Sequence, residues 1–349
     1  MLESGENNRT ELEELGEFGL IENIAKQVSL KLPTSVKGIG DDAAVLDYSS
    51  GKTVISTDML VEGVHFDLSY VPLKHLGYKA VAVNLSDVLA MNAIPQHITV
   101  SVALSNRFSV EAVNELYAGI NMACATYEVD LVGGDTTSSV AGLVISVTAT
   151  GIAKEEDIVY RDGAQDTNIL VCSGDLGGAY MGLQMLEREK EIFKENSAVQ
   201  PDFTGMEYIL ERQLKPEPRK DVILELQRLG IKPTAMIDVS DGLASEVLHL
   251  CHGSDLGVSI YEDKIPIDQK TFDVAMENHL DPTMCAMNGG EDYELLFSLD
   301  LKDYEKVKEH PLFKVIGHFT EKTDGYTLIA KGGTTHPIEA QGWNSFKQS

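Results

Sequence analysis

The sequence predicts an α/β or α+β chain of two domains. Three observations predict it. Strand-like β-branched runs alternate with segments of helical periodicity along the chain. The pattern restarts around residues 151–165, which places the expected boundary between residues 1–153 and 154–349. A length of 349 residues with 43% apolar content supplies enough side chains for two cores.

The elements follow in order. Leu15, Phe18, Ile21, Ile24 and Val28 recur at helical spacing, so "ELGEFGLIENIAKQV" reads as a first helix. "KTVISTD" reads as a strand ending at Asp58. "PLKHLGYKAVAVNLSDVLAMNAIP" reads as a helix stopped before Pro95, and "QHITVSVALS" alternates as a strand. Ser109 is the expected N-cap of a helix over "SVEAVNELYAGINMACATYEV". "VDLVGGDTTSS" reads as a short strand into a turn, and "GLVISVTATGIA" as another strand. "DTNILVCSGDLGGAYMGLQML" gives strand, Gly-rich turn and helix, and "TAMIDVSDGLASEVLHLC" repeats that order. Residues 186–220, charged and holding three prolines, read as an irregular excursion. "NGGEDYELLFSLD" is a turn into a strand, and "GYTLIAKGGTTHPIEAQGWNSF" a strand followed by a loop.

Composition excludes several function classes. The formal net charge is -27, and no Lys/Arg cluster offers a basic face for a phosphate backbone, so no nucleic-acid partner is expected. No segment approaches the roughly 18 uninterrupted apolar residues of a membrane span, and the polar, acidic start does not resemble a signal peptide. The expected location is cytoplasmic. Cys124, Cys172, Cys251 and Cys285 stand far apart with no Cys-x-x-Cys pair, which argues for reduced, buried thiols over zinc or redox chemistry.

The chemistry-bearing feature is a set of acids in small, oxygen-rich surroundings. These are Asp41 and Asp42 (GIGDDAAV), Asp58 (ISTD), Asp87 (NLSD), Asp135 (VGGDTT), Asp238 and Asp241 (DVSDG), and Glu291 and Asp292 (GGED). Each is placed where a strand or helix is expected to end, and any one alone reads as a cap or an Asx-turn. Together they repel one another unless something positive lies between them. All-oxygen donors suit hard cations such as Mg²⁺ or Mn²⁺, and a set this large suggests several ions shared with a polyphosphate. No EF-hand loop, protein-kinase signature or complete P-loop is present, since Leu46 stands where the glycine upstream of "GKT" belongs. "GIGDDA" formally fits G-x-G-x-x-A, but two aspartates in the turn would repel a dinucleotide pyrophosphate.

In order along nearly the whole chain, "GIGDDAAV", "ISTDMLVEGVHF", "NLSDVLAMNAIP", "VGGDTT", "DVSDGLASEV", "GGEDYELLF" and "GWNSF" resemble the thiamine-monophosphate kinases. That family shares a superfamily with aminoimidazole-ribonucleotide synthetase. The resemblance implies a two-domain fold of that superfamily. Its N-terminal domain would bind ATP and Mg²⁺ and carry a dimer-forming sheet, and a C-terminal α/β domain would complete the nucleotide and substrate site. Carried over by position, Asp41, Ser56, Thr57, Asp58, Asp87, Asp135, Asp238 and Asp241 are implied metal ligands. Tyr117, Gly134, Asp135, Arg161 and Ser240 are implied ATP contacts, and His65, Glu291 and Trp343 implied contacts to thiamine monophosphate.

Apart from the resemblance, Tyr117 reads as helix surface, His65 equally well as a core histidine, Glu291 as a strand start and Trp343 as a packing lid. His75, His97, His249 and His252 receive no functional role. The implied reaction is ATP-dependent phosphorylation of thiamine monophosphate to thiamine diphosphate in a homodimer, by in-line transfer assisted by several Mg²⁺ ions. Its acceptor oxygen is already ionised at neutral pH and needs no general base. Two other readings stand beside it. One is an ATP-dependent cyclo-ligase of the same superfamily, which should lack "STDMLVEGVHF" and a C-terminal Trp. The other is a divalent-ion-binding protein without catalysis.

Overall fold

The computed structural model describes residues 20, 23–37, 45, 46, 48, 51–198 and 200–341. The chain divides into two compact units, Met1–Leu85 with Pro95–Ile152, and Ser86–Ile94 with Ala153–Ser349. Of the first expected helix, the described residues Leu20 and 23–25 are helical, with Leu20 and Ile24 buried, and the helix ends before Val28.

In the first unit, β1 (Ser35–Lys37) pairs antiparallel with β2 (Val45–Leu46). Next come β3 (Lys52–Val61), α1 (Leu73–Ala90), β4 (Ile94–Leu104), α2 (Val110–Tyr127), β5 (Asp130–Ser138) and β6 (Leu143–Ala153). The last turn of α1, from Ser86, counts with the second unit. The sheet order is β3-β6-β4-β5, with β4 and β5 parallel. Leu143, Ile145, Val147 and Ala149 of β6 are buried while their alternates are half-buried, the period-2 signature of a sheet with one face on a core. α1 is buried continuously from Leu76 to Ser86, which explains why its apolar residues are not confined to one face. Ser109 caps α2 as expected, its side chain accepting from the Ala112 N–H.

Two expectations change here. β3 does not end at Asp58, because the apolar Met59, Leu60 and Val61 carry it three residues further. β5 does not turn at its glycines. Gly133, Gly134 and Asp135 stay in the ladder opposite Thr99, Val100 and Ser101, where a Cβ at position 134 would stand 1.9 Å from the Val100 carbonyl oxygen.

The second unit begins with β7 (Ile169–Ser173), α3 (Gly178–Glu195), α4 (Glu207–Leu214), α5 (Lys220–Arg228), β8 (Ala235–Asp238) and α6 (Leu243–Ser254). It continues with β9 (Leu256–Tyr261), α7 (Gln269–Glu277), α8 (Pro282–Asn288), β10 (Leu295–Leu299), α9 (Tyr304–Val307), β11 (Phe313–Glu321), β12 (Tyr326–Ile329) and β13 (Thr335–Pro337). The sheet order is β13-β12-β9-β11-β7-β10-β8, and only the β12–β9 pair is parallel. The mixed class expected from the sequence thus takes its α+β form here.

Both faces of this sheet are covered. Leu170, Cys172, Ile237 and Leu296 pack with Leu243 and Val247 of α6, while Val171, Met236, Leu295 and Phe297 pack with Val222 and Leu226 of α5. That is why β7, β8 and β10 read as unbroken apolar runs. All four cysteines are free and buried. The excursion expected over 186–220 is mostly helical: α3 runs to Glu195, α4 follows, and α5 starts at Lys220, while Pro201, Pro216 and Pro218 fall between helices. The C-terminal strand also gains a partner, since β13 pairs with β12 where a loop was expected.

Two local devices fix the first unit. At the first, α1 and α2 touch backbone to backbone: a Cβ at Gly77 would meet the Leu116 carbonyl oxygen at 2.0 Å, and one at Gly119 the Lys74 carbonyl oxygen at 1.9 Å. Gly→Ala inside a helix ordinarily stabilises. Here the sign reverses. Gly119→Ala should cost about 1–3 kcal/mol through overpacking, read as a lowered Tm; an unchanged or raised Tm would refute the close crossing.

The second device is a polar clasp around fully buried His97. Its Nδ1 meets the Tyr48 hydroxyl at 2.7 Å, and its Nε2 meets Ser35 at 2.9 Å and Thr34 at 3.1 Å. Beside it, Asp130 accepts from the Lys31 and Leu32 N–H groups and the Ser35 hydroxyl. Burial lowers the His97 pKa from its ordinary 6.5, and the Asp130 charge only partly opposes this. The unfolded chain therefore binds the extra proton first, so this contribution is complete above pH 6.5 and is lost as pH falls below it. Urea unfolding should show His97→Gln with a flatter loss of stability than the wild type between pH 7 and 5.5. Parallel curves would count against a neutral buried imidazole.

Candidate active site

In the first unit, the candidate residues lie on sheet strands, a turn and one helix. Strand alternation puts half-buried Ser56 and Asp58 on one face of β3 and exposed Thr57 on the other. The Thr57 hydroxyl donates to the Val147 carbonyl at 3.0 Å and accepts from Thr148 at 3.0 Å. Asp58 is held by its main chain, its N–H donating to Asn84 Oδ1 at 2.9 Å and its carbonyl accepting from Ser146 at 3.1 Å. Asp135 is exposed on β5, and its Oδ1 accepts from the Thr136 N–H at 2.9 Å. Asp58 and Asp135 thus stand on the two edge strands of the sheet, with β6 and β4 between them.

The turn after β3 is built by the chain folding on itself. The Gly63 N–H donates to the Phe66 carbonyl at 2.8 Å, with Gly63 at φ +80. His65 is exposed, which removes the core-histidine reading, and its Nδ1 accepts from the Val61 N–H at 3.0 Å. The remaining nitrogen, Nε2, therefore carries the proton when the ring is neutral. Glu62 is structural: its carboxylate takes the Leu143 N–H at 2.9 Å and pairs with Arg107. Tyr117 is not on the helix surface. It is 3% exposed, and burial pushes its hydroxyl pKa well up. Gly134 is exposed on β5.

The second unit brings more of the set together. Asp238 ends β8 at 3% exposure, and Ser86 donates to its Oδ2 at 2.6 Å. Burial first, and the neighbouring Asp87 charge second, push the Asp238 pKa up to about 7. Half-buried Asp241 is also raised by burial, with the Glu291 charge adding to it. The charge of exposed Arg161 bears on both Asp238 and Glu246. The turn after β8 is tied by Glu246 of α6, whose Oε1 accepts from the Asp241 N–H at 3.0 Å and the Ser240 hydroxyl at 3.4 Å. Glu246 is itself buried and raised to about 7.

A second turn abuts this one. The Glu291 N–H donates to the Ser240 carbonyl at 2.7 Å, the Tyr293 N–H donates to the Val239 carbonyl at 2.9 Å, and a Cβ at Gly290 would meet the Ser240 oxygen at 2.4 Å. Asp292 does not join Glu291 in facing the site. It is buried, and its carboxylate accepts the Gly177 N–H at 2.7 Å and the Ala179 N–H at 3.2 Å at the start of α3. Sequence reasoning missed Ser86, Glu246 and Gln213, all of which touch candidate residues. Asp241 and Glu246 stand five residues apart, not the three of a capping box, so no local spacing signalled the contact. Asp41, Asp42 and Trp343 lie outside the described residues. Among the described residues, no three His, Cys, Asp or Glu side chains converge as a metal cluster.

Comparison with known proteins adds to this geometry. Two family profiles match, the AIR synthase related protein N-terminal domain over residues 40–153 and the C-terminal domain over residues 168–329. Thiamine-monophosphate kinase of Bacillus subtilis is 34% identical over 95% of this chain and 100% of its own, and that of Aquifex aeolicus is 33% identical over 96% and 99%. Among solved structures, AaThiL complexed with AMPPCP and TMP is 33% identical and covers 97% of this chain and 99% of its own, with a TM-score of 0.73. The thiamine-monophosphate kinase of Stenotrophomonas maltophilia is 29% identical over 93% and 98%, with a TM-score of 0.76. The hydrogenase maturation protein HypE, at 17% identity and a TM-score of 0.72, shares the fold alone. A match this long, running through both domains to relatives of one kind, places the chain in the thiamine-monophosphate kinase family.

Proposed function

We propose that this chain is a kinase that transfers the terminal phosphoryl group of ATP to thiamine monophosphate, giving thiamine diphosphate and ADP. End-to-end similarity to thiamine-monophosphate kinases, one of them solved with AMPPCP and TMP, carries this reading. It also disfavours the cyclo-ligase and the non-catalytic ion binder. In the transfer, an acceptor phosphate oxygen bonds to the γ-phosphorus as the bond to the β,γ-bridging oxygen breaks, and ADP leaves. The acceptor is already an anion, so the chain has to supply positioning and charge compensation and not a base.

The donor set fits Mg²⁺. Its side chains are carboxylates and hydroxyls, the hard oxygen donors that this ion takes. The strongest charged neighbour of buried Asp238 is another acid, Asp87, an arrangement that a divalent cation relieves. We assign Asp41, Ser56, Thr57, Asp58, Asp87, Asp135, Asp238 and Asp241 to hold several Mg²⁺ ions. Of this set, the Thr57 hydroxyl is already engaged by Val147 and Thr148 on the opposite face of β3. Bound Mg²⁺ would offset phosphate charge and help align the in-line displacement.

Gly134, Asp135, Arg161 and Ser240 are assigned to ATP, and so is Tyr117, whose ring must first be uncovered. His65, Glu291 and Trp343 are assigned to thiamine monophosphate. In this division, residues 1–153 carry ATP, Mg²⁺ and dimer contacts, and residues 154–349 complete the nucleotide and substrate site. Support for a homodimer comes from β3, an edge strand that leaves Ile55 66% and Met59 56% exposed. A cytoplasmic location is proposed as well; among the described residues no helix is long and apolar enough to cross a membrane. Cell fractionation tests that location.

Two measurements test the rest. Incubation with Mg-ATP and thiamine monophosphate should yield a thiamine diphosphate signal by ³¹P NMR with stoichiometric ADP, and Asp58→Asn or Asp135→Asn should abolish it without lowering Tm. Wild-type protein that gives no diphosphate would sink the kinase reading, and variants with full turnover would sink the metal assignment. In sedimentation velocity, Ile55→Lys should shift a dimer toward monomer; a monomeric wild type would end the dimer proposal.

A further inference from the structure

α4 sits in the stretch whose sequence suggested no regular structure, yet it ends directly behind the Glu291 turn. Gln213, 5% exposed, donates from Nε2 to Glu291 Oε2 at 2.6 Å. Arg212, the residue before it, fixes the helix to the same turn. Its Nη1 donates to Glu294 Oε1 at 3.0 Å, and its Nη2 donates to the Asp175 carbonyl at 2.8 Å and reaches Asp292 Oδ1 at 3.5 Å. Tyr208, one helical turn earlier, donates to the Asp175 carboxylate at 2.6 Å. On the other side, α4 packs against α3 at Gly182, where a Cβ would stand 2.1 Å from the Ile209 carbonyl oxygen and 2.8 Å from the Gln213 Cβ. Gln213 therefore has little room to move, and it holds one carboxylate oxygen of Glu291, whose N–H is bound to the opposing turn at the Ser240 carbonyl.

We propose that Gln213 is a positioning residue for thiamine monophosphate, acting through Glu291. This rests on the kinase reading and on the substrate role assigned to Glu291. An amide suits the task because it orients the carboxylate without neutralising it. An Arg or Lys at this place would fix Glu291 equally well but cancel the negative charge it presents. That charge is the part of Glu291 that would attract the cationic thiazolium ring of the substrate. The charged anchors, Arg212 and Arg219, are spent one step further back, on Asp292 and Glu294.

Steady-state kinetics of Gln213→Leu tests this. Its KM for thiamine monophosphate should rise about tenfold or more, as expected for loss of a hydrogen bond to a charged group, while the KM for ATP stays within about twofold. In a Glu291→Gln background the same substitution should add almost nothing, because the group it orients has already been changed. If Gln213→Leu fails to fold, Gln213→Glu replaces it; its carboxylate repels Glu291 and should raise the same KM alone. The proposal is overturned by an unchanged substrate KM, by equal rises for both substrates with a fallen Tm, or by an effect that persists in full beside Glu291→Gln. A wild type without turnover overturns the kinase reading and this proposal together, whereas turnover with an unchanged KM overturns this proposal alone.

Discussion

Too many acids in too little space is the constraint on which the rest of this structure depends. A chain with a net charge of -27 has to settle each buried carboxylate separately. Asp130 is settled by two backbone N–H groups and a hydroxyl, Asp292 by two N–H groups at the start of α3 with Arg212 close by, and Glu294 by Ser173, Arg212 and Arg219. Asp238 is settled differently. Ser86 donates to it, and burial together with the charge of a neighbouring acid raises its pKa. Acids with several protein donors need nothing further to offset their charge, whereas Asp238 at the end of β8 has another acid, Asp87 of α1, as its strongest charged neighbour.

The elements set by local pattern were legible in the sequence. Ser109 caps α2 because its hydroxyl answers an orphan N–H within three residues, and β6 shows its alternation because one face meets solvent. Errors came where a distant partner decides. A glycine pair usually marks a turn, but Gly133 and Gly134 stay extended because β4 runs beside them, leaving no space for a Cβ at Gly134. The strand β11 and the helices α7 and α8 carry no motif and went unread. The segment 186–220 looked irregular because α3 and α4 show charge outward and prolines punctuate the gaps. Their apolar contacts, Met181, Met185 and Ile209, are spread across two helices and converge only in the folded unit.

The candidate site divides along the same line. Residues in short motifs, such as Asp238, Ser240 and Asp241, could be named because the fold keeps them as near in space as in sequence. Ser86 and Gln213 could not, since each meets its acid across a long separation, 152 residues for Ser86 and Asp238, and 78 for Gln213 and Glu291. Nothing local distinguishes them from any other serine or glutamine. Asp292 is the opposite case, a carboxylate inside a site motif that faces inward. A strand's alternation and a turn's handedness decide which of two adjacent acids is presented and which is buried.

The GGED turn explains why such backing is needed. Glu291 and Tyr293 have φ values of +68 and +52, a left-handed backbone that side-chain-bearing residues seldom adopt and that costs on the order of 1 kcal/mol or more each. The turn holds this conformation because it is over-determined. Its N–H groups are stapled to Ser240 and Val239, its next acid is buried under α3, and α4 closes it from behind. Asp238 and Asp241 therefore share one rigid frame with Glu291, because the two turns exchange main-chain hydrogen bonds and not only side-chain contacts. Two anions that must meet with their reacting atoms in line gain from such a frame, since any slack between its parts is a distance the transferred group would have to cross.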